Sequence, residues 1–133
     1  MFQILQLDHV VLRVSDREKM IHFYTQALGC EIVRSSESGG ITMMRAGRSM
    51  IDLLVFEENN QPEDLSQTKE SRNMDHFCLR IEPFDEIEIC KHLSQFGVTP
   101  SPAKTRLGAE GEGLSMYLED PEGNTIELKG PSS

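Results

Sequence analysis

His9 and His76 hold the same place in a stretch that the chain spells twice. Leu7-Asp8-His9-Val10-Val11-Leu12-Arg13-Val14 recurs about half a chain length later as Met74-Asp75-His76-Phe77-Cys78-Leu79-Arg80-Ile81. Asp, His, Leu and Arg are identical between the copies, and every other position exchanges one apolar residue for another. Each half also ends on a matching tripeptide, Ile51-Asp52-Leu53 and Ile126-Glu127-Leu128. Two imidazoles and two carboxylates at matched places are the donor types of a catalytic divalent metal. Nitrogen ligands suit Zn, Ni, Mn, Co or Fe(II), and a carboxylate supplies charge. One strand histidine alone would mean little; its repetition gives it weight.

The elements that must position these groups follow from periodicity. Residues 5–14 alternate, with Val10, Leu12 and Val14 on one face and His9, Val11 and Arg13 on the other, as a half-buried strand does. Ser15 or Asp16 is a helix cap, and Met20, Phe23, Tyr24, Ala27 and Leu28 form a helical stripe closed by Gly29. Strands are expected at 30–36, 41–46 and 49–56, with Gly39-Gly40 and Gly47-Arg48 as turns. Residues 57–73 are polar, contain Pro62, and read as a linker. The pattern then restarts with a strand at 75–81 and a helix at 83–96 carrying Ile89, Leu93 and Phe96, closed by Gly97. Residues 99–105 are extended but interrupted by Pro100 and Pro102, hence irregular or an edge. Strands at 114–119 and 125–129 flank Asp120-Pro121-Glu122-Gly123-Asn124, a run of turn-forming residues. The Gly-rich run 108–113 is the place for residues inserted in the second half, as a lid over the site or a solvated loop, and 130–133 is a loose tail.

The expected fold is therefore α+β: two tandem βαβββ modules whose curved mixed sheets surround a metal-binding cavity. One domain, residues 1–133, comprises a first module at 5–56, the linker at 57–73 and a second module at 74–130. Alternation puts the apolar phases against the helices. His9, Asp52, His76 and Glu127 are then left together on the opposite faces. Cys78, Arg13 and Arg80 share that phase; Cys78 lines the pocket, and the arginines pair with local carboxylates or neutralise an anionic substrate. Asp8 and Asp75 have a turn or hydrogen-bonding role, and His22 and His92 lie on the surface.

Composition narrows the classes. The 133 residues carry 13 Lys and Arg against 22 Asp and Glu, a net charge of −9, which disfavours nucleic acid or an anionic membrane as partner. No apolar run approaches a membrane span, and the N-terminus lacks a signal-peptide pattern, so a cytoplasmic protein is expected. Cys30, Cys78 and Cys90, odd in number and widely spaced, read as reduced thiols.

From His9 and Asp75-His76 to the closing Asp120-Pro121-Glu122-Gly123-Asn124-Thr125-Ile126-Glu127-Leu128, the chain resembles the vicinal oxygen chelate superfamily of glyoxalases, fosfomycin- and bleomycin-resistance proteins and extradiol dioxygenases. The resemblance implies paired βαβββ modules with His9, His76 and Glu127 as metal ligands. It sets Asp52 where glyoxalase I-like members have a ligating glutamate, leaving ligand, general base or cavity carboxylate as its roles. Residues 110–117 resemble the pocket-lining segment of fosfomycin-resistance enzymes through Ser115 and Tyr117, and Tyr117 is a candidate to touch substrate. Val11 departs from the threonine of the thiol-transferring members, and no arginine follows Gly130 where those enzymes grip a phosphonate.

The function implied is that of a lactoylglutathione lyase-like metal enzyme. It would act on a thiol–2-oxoaldehyde adduct through a metal-stabilised enediolate-type intermediate, with Glu127 or Asp52 moving the proton and glutathione or another thiol as co-substrate. The alternatives are thiol or water addition to an epoxide, extradiol ring cleavage, and a non-catalytic drug-sequestering protein. One divalent metal per site is expected, in a homodimer where His9 and Asp52 of one subunit meet His76 and Glu127 of the other.

Overall fold

The structure is a computed structural model that describes residues 1–55 and 72–133. It divides into two compact units, Met1–Glu63 and Asp64–Ser133. Phe56 and nearly all of the expected linker at 57–73 lie outside the described residues.

The first unit runs β1 (His9–Val14), α1 (Arg17–His22), a π-helical turn (Phe23–Ala27), β2 (Glu31–Ser35), β3 (Ile41–Ala46) and β4 (Ser49–Val55). The sheet order is β1-β4-β3-β2. β1 lies parallel to β4, with Val11 opposite Asp52, and the other pairings are antiparallel. A parallel pair needs a crossover, which begins with α1. Leu12, Val14, Met44, Ile51 and Leu53 are buried, as are Met20, Phe23, Tyr24 and Ala27 of the helical segment. That burial supplies the drive to fold.

Helix α1 starts where expected: the Asp16 carboxylate accepts from the Lys19 amide at 3.1 Å. It does not stay α-helical to Gly29. After His22 the backbone widens, and the Leu28 amide reaches back five residues to the Phe23 carbonyl at 3.2 Å. The Thr25 hydroxyl donates to the Ile21 carbonyl at 2.6 Å at the same place, the kind of back-bond that bends helices. The wide turn lets Phe23, Tyr24 and Ala27 all face inward, and Gly29, at φ 78°, ends it.

The second unit repeats the plan with β5 (Phe77–Arg80), α2 (Glu86–Ser94), β6 (Lys104–Gly108), β7 (Gly111–Glu119) and β8 (Thr125–Lys129). The sheet order is β5-β8-β7-β6, with β5 parallel to β8. Two βαβββ modules in an α+β fold are what the repeat predicted. α2 begins later than expected because Asp85 is its cap, accepting from the Glu88 amide at 3.1 Å, and it ends before Phe96. Leu93 anchors it.

Two expectations fail here. The Gly-rich run is neither an inserted loop nor a lid: Gly108 pairs with Gly111 across a tight hairpin, and β7 starts inside the run. The tail is not loose either. The Gly130 amide donates to Leu114 at 2.9 Å and the Ser133 amide to Glu112 at 2.8 Å, so the chain beyond β8 stays alongside β7. Glycine explains both, since Gly108 and Gly113 leave room for Lys129 and Pro131 to cross them.

The turn before β8 is closed by Asp120, which is buried. Its carboxylate accepts from the amides of Glu122 and Asn124 at 2.9 Å each and from the Asn124 side chain at 2.8 Å. Removing it strands those donors. We expect Asp120→Ala to lower the unfolding free energy by about 2–3 kcal/mol, measured by urea denaturation; a loss below about 0.5 kcal/mol would mean that water replaces the carboxylate.

Candidate metal centre

In the second unit the chemistry gathers around His76, just ahead of β5. Parallel pairing sets Cys78 opposite Glu127, and antiparallel pairing sets Tyr117 opposite the same residue. His76 Nε2 lies 3.2 Å from Glu127 Oε1. Its Nδ1 lies 2.6 Å from Asp75 Oδ2. The Tyr117 ring meets the imidazole edge-on, with centroids 5.2 Å apart, and the Arg106 guanidinium sits 4.5 Å from the Tyr117 centroid on its own account. Tyr117 also walls a cleft of about 420 Å³ shared with Val98, Thr99, Ser101 and Thr125.

The first unit repeats the pattern with one difference. His9 Nδ1 is 2.8 Å from Asp8 Oδ2. This hydrogen bond is the main cause of a raised His9 pKa; the charges of Asp52 and Asp8 add to it against a lowering by desolvation. Asp52, like Glu127, is buried, at 5 % and 6 % exposure. Unlike Glu127, it has no imidazole in hydrogen-bond reach among the described residues, and its buried Oδ1 has no hydrogen-bond partner among them. A carboxylate oxygen left so is costly unless something else neutralises it.

A divalent metal suits these donors. An imidazole whose Nδ1 proton goes to an aspartate presents a lone pair at Nε2, the tautomer being inferred from the hydrogen bond. In His76 that lone pair faces a carboxylate oxygen, another acceptor. Two acceptors at 3.2 Å need a proton or a cation between them. The orphaned Asp52 oxygen makes the same demand. The donor set fits the metal, with an aspartate behind each imidazole as metal-bound histidines usually have. Among the described residues no group of three or more such side chains gathers at one point; each unit offers a pair.

Cys78 shares the face of Glu127. It is exposed by area, yet enough atoms crowd it that desolvation, with the Glu127 charge adding, pushes its thiol up to about 11, which suits a lining thiol rather than a nucleophile. Arg80 is tied to Glu110 and Glu82 at 2.6 Å each and is no free anion receptor. Ser115 is fully buried, its hydroxyl accepting from Arg106 at 3.0 Å. His22 and His92 are exposed. Sequence reasoning gave Asp8 and Asp75 only an unspecified hydrogen-bonding role. The recurrence of Asp-His in both halves was the signal that they orient imidazoles. Arg106 was missed; nothing in its local sequence marks it.

The family described as the Glyoxalase/Bleomycin resistance protein/Dioxygenase superfamily matches residues 6–128. The glyoxalase domain-containing protein RDO1 of Mycosarcoma maydis is 34% identical over 128 residues, covering 94% of this chain and 68% of that protein. The lactoylglutathione lyase of Escherichia coli O157:H7 is 26% identical over 130 residues, covering 93% and 91%. Among solved structures, the integron cassette protein VCH_CASS1 from the mobile metagenome of V. cholerae superposes with a TM-score of 0.75 at 30% identity, covering 99% of both chains. The match spans both repeats, from before His9 to beyond Glu127, and the chain belongs to the glyoxalase/bleomycin resistance protein/dioxygenase superfamily.

Proposed function

We propose that this chain is a divalent-metal-dependent, glyoxalase-like lyase or isomerase. Its substrate would be a small molecule offering two oxygens to the metal, such as the adduct of a thiol with a 2-oxoaldehyde. One observation carries the reading: an imidazole held on Nδ1 by an aspartate, with a buried carboxylate on the same sheet face, is built twice, from His9 and Asp52 and from His76 and Glu127. The 26% identity to a lactoylglutathione lyase over nearly the whole chain supports this branch of the family.

His9, His76 and Glu127 are the ligands in this reading. Zn, Ni, Mn, Co or Fe(II) bound there would supply Lewis acidity, lowering the cost of negative charge on the substrate oxygens. The chain does the rest. Asp8 and Asp75 hold the imidazoles with Nε2 outward. Asp52, whose Oδ1 is buried and has no hydrogen-bond partner among the described residues, is the better placed of the two carboxylates to take a proton from the substrate carbon, because Glu127 serves as a ligand in this reading. Tyr117 packs beside His76 and limits how a substrate approaches. Two donors per unit are too few for a catalytic site, which favours the sharing of sites across a homodimer, His9 and Asp52 of one subunit serving with His76 and Glu127 of its partner.

Apo-protein reconstituted with each of the five metals should turn over the methylglyoxal–glutathione hemithioacetal. Turnover of fosfomycin plus thiol instead would move the chain to the epoxide-opening branch. A protein that takes up no divalent metal would be a sequestering protein rather than an enzyme, and a monomer by sedimentation that binds metal at full stoichiometry would end the shared-site version. His76→Ala should abolish metal binding in calorimetry. Asp52→Asn should keep the metal and lose about 100-fold or more in kcat; unchanged kcat would remove Asp52 from the proton transfer. Asp75→Asn should weaken metal affinity by about 10–100-fold, and an unaltered affinity would make the Asp75 contact incidental.

A further inference from the structure

The segment that leads into β1, Met1-Phe2-Gln3-Ile4-Leu5-Gln6-Leu7, carries no charged side chain and stands clear of its own sheet. Phe2, Ile4, Leu5 and Leu7 are 75, 87, 89 and 79 % exposed. The first hold on the segment is at Leu7, whose carbonyl accepts from the Ser49 hydroxyl at 3.3 Å. The Asp8 carbonyl follows, accepting from the Met50 amide at 3.1 Å. Ahead of Leu7 the backbone makes no hydrogen bond among the described residues. Single apolar residues on a surface are normal, whereas four large ones within seven residues mark a contact.

A second bare element lies at the far edge of the same sheet. β2 is the last strand in the order β1-β4-β3-β2, so it pairs with β3 alone, and every residue from Glu31 to Ser35 is exposed. Its outer side keeps a row of unpaired amides and carbonyls, an edge that proteins usually guard. Here a bulge between Ile32 and Arg34 leaves Ile32 and Val33 at 49 and 53 % exposure. The two segments share a pattern: Gln3-Ile4-Leu5-Gln6 and Glu31-Ile32-Val33-Arg34 each set two adjacent apolar residues between polar ones. Laid side by side as strands, they bring apolar pair to apolar pair and glutamine amides to the flanking charges. The chain's own segment cannot supply this strand. It leads into β1, three strand spacings or about 14 Å from β2. Seven extended residues reach only about 23 Å, so a segment that crossed the sheet would have too few left to lie along the edge.

We propose that residues 1–7 of one copy add as a strand to the β2 edge of a second copy, and that the exchange is mutual, closing a two-fold dimer. Each large apolar side chain buried removes roughly 100 Å² from water. Four of them in each of two segments, with the surface they cover, come to about 1,600 Å², the size of a stable interface. An uncharged contact also suits copies that each carry a net charge of −9, because charged faces of like sign repel. The proposal rests on the homodimer of the shared-site reading for its two copies and not on the metal, since neither segment bears a proposed ligand.

The test is sedimentation velocity of the whole metal-free chain over a dilution series, with hydrogen exchange read at residues 31–35. Wild type should sediment as a dimer with slowed exchange in β2. The double variant Ile4→Asp, Leu5→Asp, at positions exposed within their own subunit, should raise the dimer dissociation constant about 100-fold or more, as loss of interface anchors does. It should also speed exchange in β2. Ile32→Lys should dissociate the dimer in the same way, and Val33→Lys reads the same edge if Ile32→Lys does not fold. A double variant that matches wild type in sedimentation or in β2 exchange would overturn the proposal, as would a monomeric wild type or a dimer indifferent to the β2 substitutions. A wild-type monomer that binds phosphatidylcholine vesicles, with binding lost in the double variant, would assign the segment to a lipid surface instead. A dimer that loosens as expected but takes up no Mn(II) would uphold the strand exchange and overturn the metal reading. A dimer that binds Mn(II) at full stoichiometry and survives the double variant would overturn the strand exchange and leave the shared site standing.

Discussion

Everything at the candidate centre depends on one pairing, made twice: the first strand of each unit lying parallel to the last. β1 on β4 and β5 on β8 set a histidine and a carboxylate that are some forty to fifty residues apart on neighbouring strands of one face. A parallel pair cannot be closed by a tight turn, so helix and meander must come between. The helices α1 and α2, the hairpins and the buried apolar rows serve that pairing. The chemistry is long-range by construction, while each element that builds it is local.

Much of this was legible because alternation in a strand is unambiguous. Val10, Leu12 and Val14 on one phase force His9 to the other, and Ile126 and Leu128 do the same for Glu127; no tertiary information is needed. What escaped was of two kinds. The π-helical turn at Phe23–Ala27 satisfies the same apolar spacing as an α-helix, so the stripe could not distinguish them. The Gly-rich hairpin and the C-terminal segment were misread because glycine marks loops in most sequences, whereas Gly108 and Gly113 here are strand residues thinned to admit a neighbour's side chain or backbone. That neighbour is remote in sequence. Arg106 escaped for a similar reason: its meaning lies in Ser115 and Tyr117 across the hairpin.

The two half-centres are alike in plan and unequal in reach. Glu127 touches its imidazole, while Asp52, one methylene shorter, leaves an oxygen unsatisfied in a buried place. Both imidazoles are backed by exposed aspartates that sit next to them in the chain. The strongly held donor and the poised one are thereby separated between the modules. Divergence at one position of the repeat is enough to make the two half-centres different.

The buried Asp120 turn gives this arrangement its tolerance. Because its carboxylate grips Glu122 and Asn124, β8 enters the sheet at one phase. A slip of a single residue would turn Ile126 and Leu128 toward the face that now bears Glu127 and sink Glu127 into the core beside Leu118. The turn therefore works as a ratchet stop. Along the β6–β7 hairpin, by contrast, length can vary without changing which way Glu127 faces, so one end of the sheet can be resized while the other stays indexed.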